Sequence, residues 1–126
     1  MREEAASWLA QADEDLATAD YNLQGGRFYA AVFFAQQAAE KALKGLFIEA
    51  MNDLPPKTHN IVRLARQLGG TEDVLEAAIE LNPEYFTTRY PDAAVGIPAE
   101  MFSQKSAAVH LEAARVIMQW VRSRLT

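Results

Sequence analysis

Apolar residues recur at steps of three and four along three long segments of this chain, and this periodicity constrains its fold more than any other feature. The stripe in the first segment consists of Leu9, Ala12, Leu16, Ala19 and Leu23. The five prolines and six glycines fall almost entirely between the periodic segments, where they end helices. A step of two, which would indicate strands, does not organise these segments. The sequence therefore predicts an all-helical protein.

The proline and glycine breaks define three long helices and two or three short ones. Long helices are expected over residues 2–24 and 27–51 and from about 102 to the end. Thr58 and Thr71 are predicted to cap two short helices, and Asn82 to cap a further one that begins at Pro83. Residues 90–99 are expected to form a loop. These elements pack most simply as one domain over residues 1–126, an up-and-down bundle of four to five helices.

Composition excludes several classes of function. The chain contains no cysteine, which excludes disulfides, thiolate zinc sites and cysteine nucleophiles and fits a reducing compartment, so a cytoplasmic protein is expected. No signal peptide and no membrane-spanning run of about 18 apolar residues is found. Asp73, Glu76 and Glu80 share a helical face but are typical of a solvated acidic stripe. We therefore expect no metal and no cofactor.

The charge is distributed unevenly around a net value of −5. Residues 1–24 carry one basic and six acidic side chains, which makes the first helix strongly acidic. Residues 25–70 carry six basic and three acidic side chains and are the only basic region. Any nucleic acid must therefore bind to a local patch rather than to the surface as a whole.

The second helix carries a mixed face opposite its core stripe. This face consists of Phe34, Gln37, Lys41, Lys44 and Ile48. A solvated face would not normally keep two large apolar residues on its centre line, so a covering element is expected. A helix from a second copy is the favoured cover, with Phe34, Gln37 and Ile48 as the dimer face. Alternatively, a helix of the same bundle covers it and the lysines extend to water.

No known catalytic sequence motif is apparent, because the chain has no Gly-rich phosphate loop, no HExxH zinc motif and no nucleophile elbow. His59 lies at a loop-to-helix junction, where it either polarises a phosphate or bonds a neighbouring carbonyl. Arg89 precedes Tyr90 and Pro91, and its guanidinium either forks onto a phosphate or pairs with a carboxylate of its own bundle. His110 is expected to be structural. Glu40, Lys41 and Lys44 by themselves indicate only a charged helix surface.

Several strings in this order resemble the HEPN domain (higher eukaryotes and prokaryotes nucleotide-binding). Residues 33–44 read FFAQQAAEKALK, and the strings PKTH and RYPD follow at residues 56–59 and 89–92. The resemblance begins near Trp8 and closes near Trp120, so it spans nearly the whole chain. It implies a helical bundle, usually a homodimer, that is often encoded beside a minimal nucleotidyltransferase in toxin–antitoxin pairs. Similar domains also serve as the substrate-binding parts of nucleotidyltransferases.

The resemblance also implies a possible ribonuclease, since many family members cleave RNA without a metal. They use an arginine followed after four to six residues by a histidine, in a cleft between two protomers. Arg89 matches the arginine, but residues 94–96 are Ala, Val and Gly, so the histidine is absent. His59 would supply an imidazole only if its loop folds near Arg89.

Three functional hypotheses follow. The first is a nucleotide- or RNA-binding module that works with a separately encoded nucleotidyltransferase. Lys41, Lys44, Arg89 and Tyr90 would contact the nucleotide or phosphate. The second is a metal-independent ribonuclease toxin that uses Arg89, with His59 as its acid or base. The third is a helical dimer whose sequence pattern records only packing.

Overall fold

A computed structural model describes residues 1–125 and confirms the all-helical bundle. The three long helices are α1 (Glu3–Gln24), α2 (Phe28–Met51) and α7 (Gln104–Arg124). Shorter helices connect α2 to α7, namely α3 (Ile61–Gln67), α4 (Glu72–Leu81), α5 (Glu84–Thr87) and α6 (Pro91–Ala94), followed by a 3₁₀ turn at Pro98–Glu100. Within residues 1–125, no helix is both long and apolar enough to cross a membrane.

Helix α2 lies at the centre of the bundle and packs against both α1 and α7, while α4 packs against α7. Small side chains allow α1 and α2 to approach closely, since alanine is the commonest buried residue of both helices. Gly45 lies at a close contact between them, because a Cβ atom at this position would be 3.0 Å from Leu9 Cγ. The central position of α2 explains why polar residues on it become buried.

Two of the predicted helix caps are wrong. Asn60, not Thr58, caps α3, and its side chain accepts a hydrogen bond from the Arg63 backbone N–H at 3.0 Å. Asn82 does not cap α5, because its Oδ1 accepts from the backbone N–H of Ile61 at 3.0 Å. Asn82 thus stabilises the first turn of α3 from the far end of α4. This contact fixes the two short helices against each other.

The prediction of a loop over residues 90–99 is wrong in part. Pro91 begins the four-residue helix α6, where its fixed φ suits the first helical position. Val95 ends this helix in the left-handed region, at φ 54°, with its side chain exposed. A β-branched residue is strained in this conformation. The segment is therefore more ordered than its prolines and glycine indicate.

Candidate functional site

A charged cluster is buried in the middle of α2. The Lys44 Nζ atom lies 3.2 Å from Glu40 Oε2, and the two side chains are only 8% and 7% exposed. The fully buried Gln36 amide donates to Glu40 Oε1 at 3.1 Å. The expectation that Glu40 and Lys44 form an ordinary charged surface is therefore wrong. Each charge is compensated within the chain, as burial requires.

Glu40 extends this cluster to the surface through His59. The Nδ1 atom of His59 lies 3.1 Å and 3.2 Å from the two carboxylate oxygens of Glu40. The His59 side chain is about half exposed, and its Nε2 has no hydrogen-bond partner within residues 1–125. A carboxylate that binds one ring nitrogen fixes the orientation of the imidazole. The other ring nitrogen of His59 is then left for a ligand.

The ring of Tyr85, on α5, contacts both His59 and Arg89. His59 stacks on it with the ring centres 3.7 Å apart and the planes 15° from parallel. The Arg89 guanidinium carbon lies 4.0 Å from the Tyr85 ring centre and 4.1 Å from that of Phe33. A guanidinium against an aromatic face is a favourable cation–π arrangement. His59 and Arg89 therefore lie on opposite faces of the Tyr85 ring. The loop of His59 folds near Arg89, but the ring lies between the imidazole and the guanidinium.

Arg89 has no carboxylate partner among the residues that the structure describes. One of its terminal nitrogens, Nη1, donates to the Tyr85 backbone carbonyl at 2.6 Å, which holds the side chain against α5. Of the two predicted roles, pairing with a carboxylate within the bundle is therefore not observed. Tyr90 is 47% exposed, and its ring centre lies 6.5 Å from that of Phe86, which is also exposed. Arg89 keeps further N–H donors in a fixed fork, the geometry that suits phosphate.

The two predicted lysine contacts lie elsewhere and are already paired. Lys41 Nζ contacts Asp15 of α1 at 2.5 Å. Lys44 is buried with Glu40 and lies 5.8 Å from the centre of the Trp8 ring. Within residues 1–125, no contact joins Lys41 to His59, Tyr85 or Arg89. Lys44 is connected to His59 only through Glu40, which contacts both.

The predicted dimer face is partly covered within one chain. Ile48 is 3% exposed, so the same bundle already buries it. Phe34 packs partly against the core, with its ring in edge contact with Phe33. Gln37 is partly buried, and its amide donates to Gln36 Oε1 at 2.7 Å. Of the three residues, only Phe34 and Gln37 retain surface for a second copy.

His110 is buried between two acceptors in the α4–α7 region. Its Nδ1 lies 2.6 Å from the Ser106 carbonyl oxygen, and its Nε2 lies 2.8 Å from Glu84 Oε2. Burial acts to lower the pKa of His110, but the hydrogen bonds to Glu84 and Ser106 outweigh it and raise the pKa above its usual value. Two acceptors on one imidazole favour the doubly protonated form. His110 therefore joins α5 to α7.

Sequence reasoning missed Tyr85 and assigned Glu40 only to the helix surface. Tyr85 lies four residues before Arg89, a spacing that can place two side chains on the same side of a helical turn, so a signal was present. The contact between Glu40 and His59 joins residues 19 apart in the chain, and no local spacing indicates it.

Comparisons with known proteins agree with this architecture. The HEPN domain family matches residues 5–124. The crystal structure of TT1696 from Thermus thermophilus is 36% identical with a TM-score of 0.88, over 97% of this chain and 98% of that one. ST0689, an archaeal HEPN homologue, is 32% identical with a TM-score of 0.85, over 99% and 100% of the two chains.

A HEPN domain protein from Thermotoga maritima, tm0613, shares the fold at 24% identity and a TM-score of 0.75, over 94% of this chain and 97% of that one. No curated protein matches the chain significantly. The family match covers nearly the whole of the bundle, including the strings around Glu40, His59 and Arg89. The chain therefore belongs to the HEPN domain family.

Proposed function

We propose that this protein is a nucleotide- or RNA-binding module whose ligand contacts Arg89, His59 and the aromatic residues beside them. The observation that carries the proposal is the shared contact of Arg89 and His59 with the Tyr85 ring. Arg89 supplies forked donors for a phosphate, and the unpaired Nε2 of His59 supplies a further contact. The exposed ring of Tyr90 offers a stacking surface for a base.

Lys41 and Lys44 are left out of this ligand site. A phosphate at either lysine would compete with Asp15 or Glu40, and at Lys44 it would also have to enter a buried position. Displacing the partner of a buried charge costs about 3–5 kcal/mol, more than a typical charged hydrogen bond returns. Arg89, which has no such competitor, is the better anion contact.

The module is further proposed to act as a homodimer with a separately encoded minimal nucleotidyltransferase, plausibly in a toxin–antitoxin pair in the cytoplasm. The family resemblance motivates this part of the proposal. Asp13, Asp15 and Asp20 of α1 are paired with cations of the bundle, whereas the exposed Glu3, Glu4 and Glu14 make no ion pair within residues 1–125 and offer a surface for a basic partner. Sedimentation velocity should give twice the 14.0 kDa mass of one chain. A monomer at micromolar concentration would contradict the dimer.

A binding titration tests the ligand site. We expect a labelled nucleotide or a short 2′-O-methylated RNA, which cannot be cleaved through its 2′-oxygen, to bind the parent protein. Arg89→Ala should weaken affinity at least about tenfold, since a hydrogen bond to a charged group contributes about 1.5–3 kcal/mol. Arg2→Ala is the matched control, because Arg2 is exposed and no ion pair of its side chain occurs within residues 1–125. Equal affinity of parent and Arg89→Ala would refute the proposal.

The second candidate function is metal-independent RNA cleavage, which the Glu40–His59 hydrogen bond favours. In this reaction the 2′-oxygen attacks the adjacent phosphorus while the bond to the 5′-oxygen breaks. His59 Nε2 would accept the 2′-hydroxyl proton, or donate a proton to the leaving 5′-oxygen, and Arg89 would stabilise the charge on the phosphoryl oxygens. A positioned acid or base of this kind contributes about 10²–10⁴ in rate.

Cleavage of structured RNA in EDTA distinguishes the two functions. A ribonuclease requires cleavage by the parent protein and loss of that cleavage in both Arg89→Ala and His59→Ala, with Arg2→Ala unchanged. Binding without cleavage by the parent would support the module alone. Cleavage that survives His59→Ala would exclude His59 as the acid or base.

A further inference from the structure

A basic groove lies beside the ligand site on the outer surface of α3 and α4. It encloses about 690 Å³, and its lining includes Arg63, Arg66 and Ile79. No acidic residue lines it. Arg63 and Arg66 are exposed, lie one turn apart on α3, and make no ion pair within residues 1–125. In a chain of net charge −5, two adjacent arginines without acidic partners form an unusual local patch.

This groove adjoins a second one that reaches His59, whose ring stacks on Tyr85. Asn60 and Asn82 line both grooves. The second groove encloses about 390 Å³, and its lining also includes Lys57, His59 and Phe86. Lys57 is exposed and unpaired within the described residues, and Phe86 is 53% exposed. A continuous surface therefore runs from Arg66 past the shared asparagines to His59.

The floor of this surface is fixed by hydrogen bonds between elements. Asn60 caps α3 through the Arg63 backbone N–H, and Asn82 binds the Ile61 backbone N–H from the end of α4. The side chains of both asparagines are thus held in place at the junction of the two grooves. The spacing between the arginines and His59 is set by the fold rather than by a mobile loop.

We propose that this surface, the α3 groove, binds the sugar–phosphate backbone of a single RNA strand that continues from the Arg89 site. The inference rests on the proposed function and adds to it the class of ligand, an oligonucleotide of which one nucleotide occupies the Arg89 site. Cations without ion-pair partners next to exposed aromatic rings are the combination that binds single strands without sequence preference. Arg63 and Arg66 contact phosphates, and Phe86 stacks on a base.

Salt-dependent binding of two probes tests the α3 groove. The probes are a fluorescein-labelled 12-nucleotide 2′-O-methyl RNA and a fluorescein-labelled mononucleotide, each titrated at several salt concentrations. The double variant Arg63→Glu/Arg66→Glu should weaken binding of the 12-mer at least about tenfold. It should also reduce the slope of log affinity against log salt by roughly 1.4, about 0.7 for each lost phosphate contact. Affinity for the mononucleotide should stay within about twofold.

The control variant Arg2→Glu/Lys105→Glu changes the net charge equally, and neither residue lines either groove. It should leave the salt slope of the 12-mer unchanged. An unchanged slope in Arg63→Glu/Arg66→Glu, or the same loss in the control, would overturn the α3 groove as an RNA site. Self-association that charge reversal abolishes, with RNA binding unchanged, would assign the groove to protein docking instead and would also overturn the proposal.

The variant Arg89→Ala shows whether a negative result refutes the α3 groove alone or the proposed function as well. If Arg89→Ala weakens binding of both probes while the α3 variant has no effect, the ligand site stands and the groove is refuted. If Arg89→Ala affects neither probe, the proposed function itself fails. Circular dichroism of each variant confirms that the helical content is preserved.

Discussion

Glu40 is the residue on which both the core and the proposed ligand site depend. Its carboxylate accepts from Gln36 and Lys44 on its own helix and lies within hydrogen-bond distance of His59 Nδ1. Burial of this carboxylate is tolerable only because three partners surround it. Glu40 therefore links the stability of α2 to the orientation of an exposed imidazole.

Removing Glu40 should destabilise the fold through Lys44. Glu40→Ala leaves the Lys44 ammonium buried without a counter-charge, so we expect the free energy of unfolding to fall by about 3–5 kcal/mol in urea titrations. The double variant Glu40→Met/Lys44→Met should recover much of this loss, because it removes both charges. Glu76→Ala, at an exposed position, is the control. A Glu40→Ala protein as stable as this control would contradict the account of the buried pair.

His110 should make stability depend on pH. Its pKa is raised in the folded state, so the folded protein binds more protons than the unfolded chain above the usual imidazole pKa of 6.5. The stabilisation is complete below that value and is lost as pH rises through the folded-state pKa. We expect the free energy of unfolding to decrease over this range, and Glu84→Gln to flatten the decrease. A parent protein whose stability rises with pH in this window would disprove the assignment.

At the scale of elements, local pattern was sufficient for the long helices and for α4, which follows Thr71 and ends at Leu81 as predicted, and insufficient for the start of α3 and for α6. Helices α1 and α2 begin and end within a residue or so of their predicted bounds, because their stripes are long and their breaks are strong. The prediction that Asn82 caps α5 was wrong because its side chain binds the first turn of α3 instead, a contact between residues 21 apart in the chain. A residue pattern within a short window of sequence cannot indicate a hydrogen-bond partner so far away in the chain.

The close approach of α1 and α2 should not tolerate a larger residue at Gly45. A side chain there meets Leu9 Cγ at 3.0 Å and the Ala5 carbonyl oxygen at 3.3 Å. We expect Gly45→Val to lower stability by about 1–3 kcal/mol, the typical cost of overpacking, with a lower melting temperature. Ala50→Val introduces valine at an exposed position of the same helix, where it lowers helix propensity without overpacking, whereas Gly45→Val gains helix propensity over glycine. A Gly45→Val protein with a melting temperature as high as that of Ala50→Val would show that the helices can separate without cost.

At the scale of the whole molecule, the proposed ligand site assembles from three separate parts of the chain. Glu40 comes from α2, His59 from the loop before α3, and Arg89 from the turn after α5. Sequence alone predicted the bundle and singled out Arg89, because it lies with Tyr90 where a helix must end before Pro91. It proposed His59 only because the chain offers few other imidazoles. It did not predict Tyr85 as their common contact, since that contact exists only after the helices pack.

The central claim is that a nucleotide binds at the surface formed by His59, Tyr85 and Arg89. Amide chemical-shift mapping of the ¹⁵N-labelled full chain during titration with a nucleoside monophosphate tests it most directly. We predict that the resonances of His59, Tyr85 and Arg89 shift first and saturate together, and that Arg89→Ala abolishes these shifts. Shifts that centre instead on Lys41 and α1, or a spectrum unchanged at millimolar nucleotide, would contradict the claim.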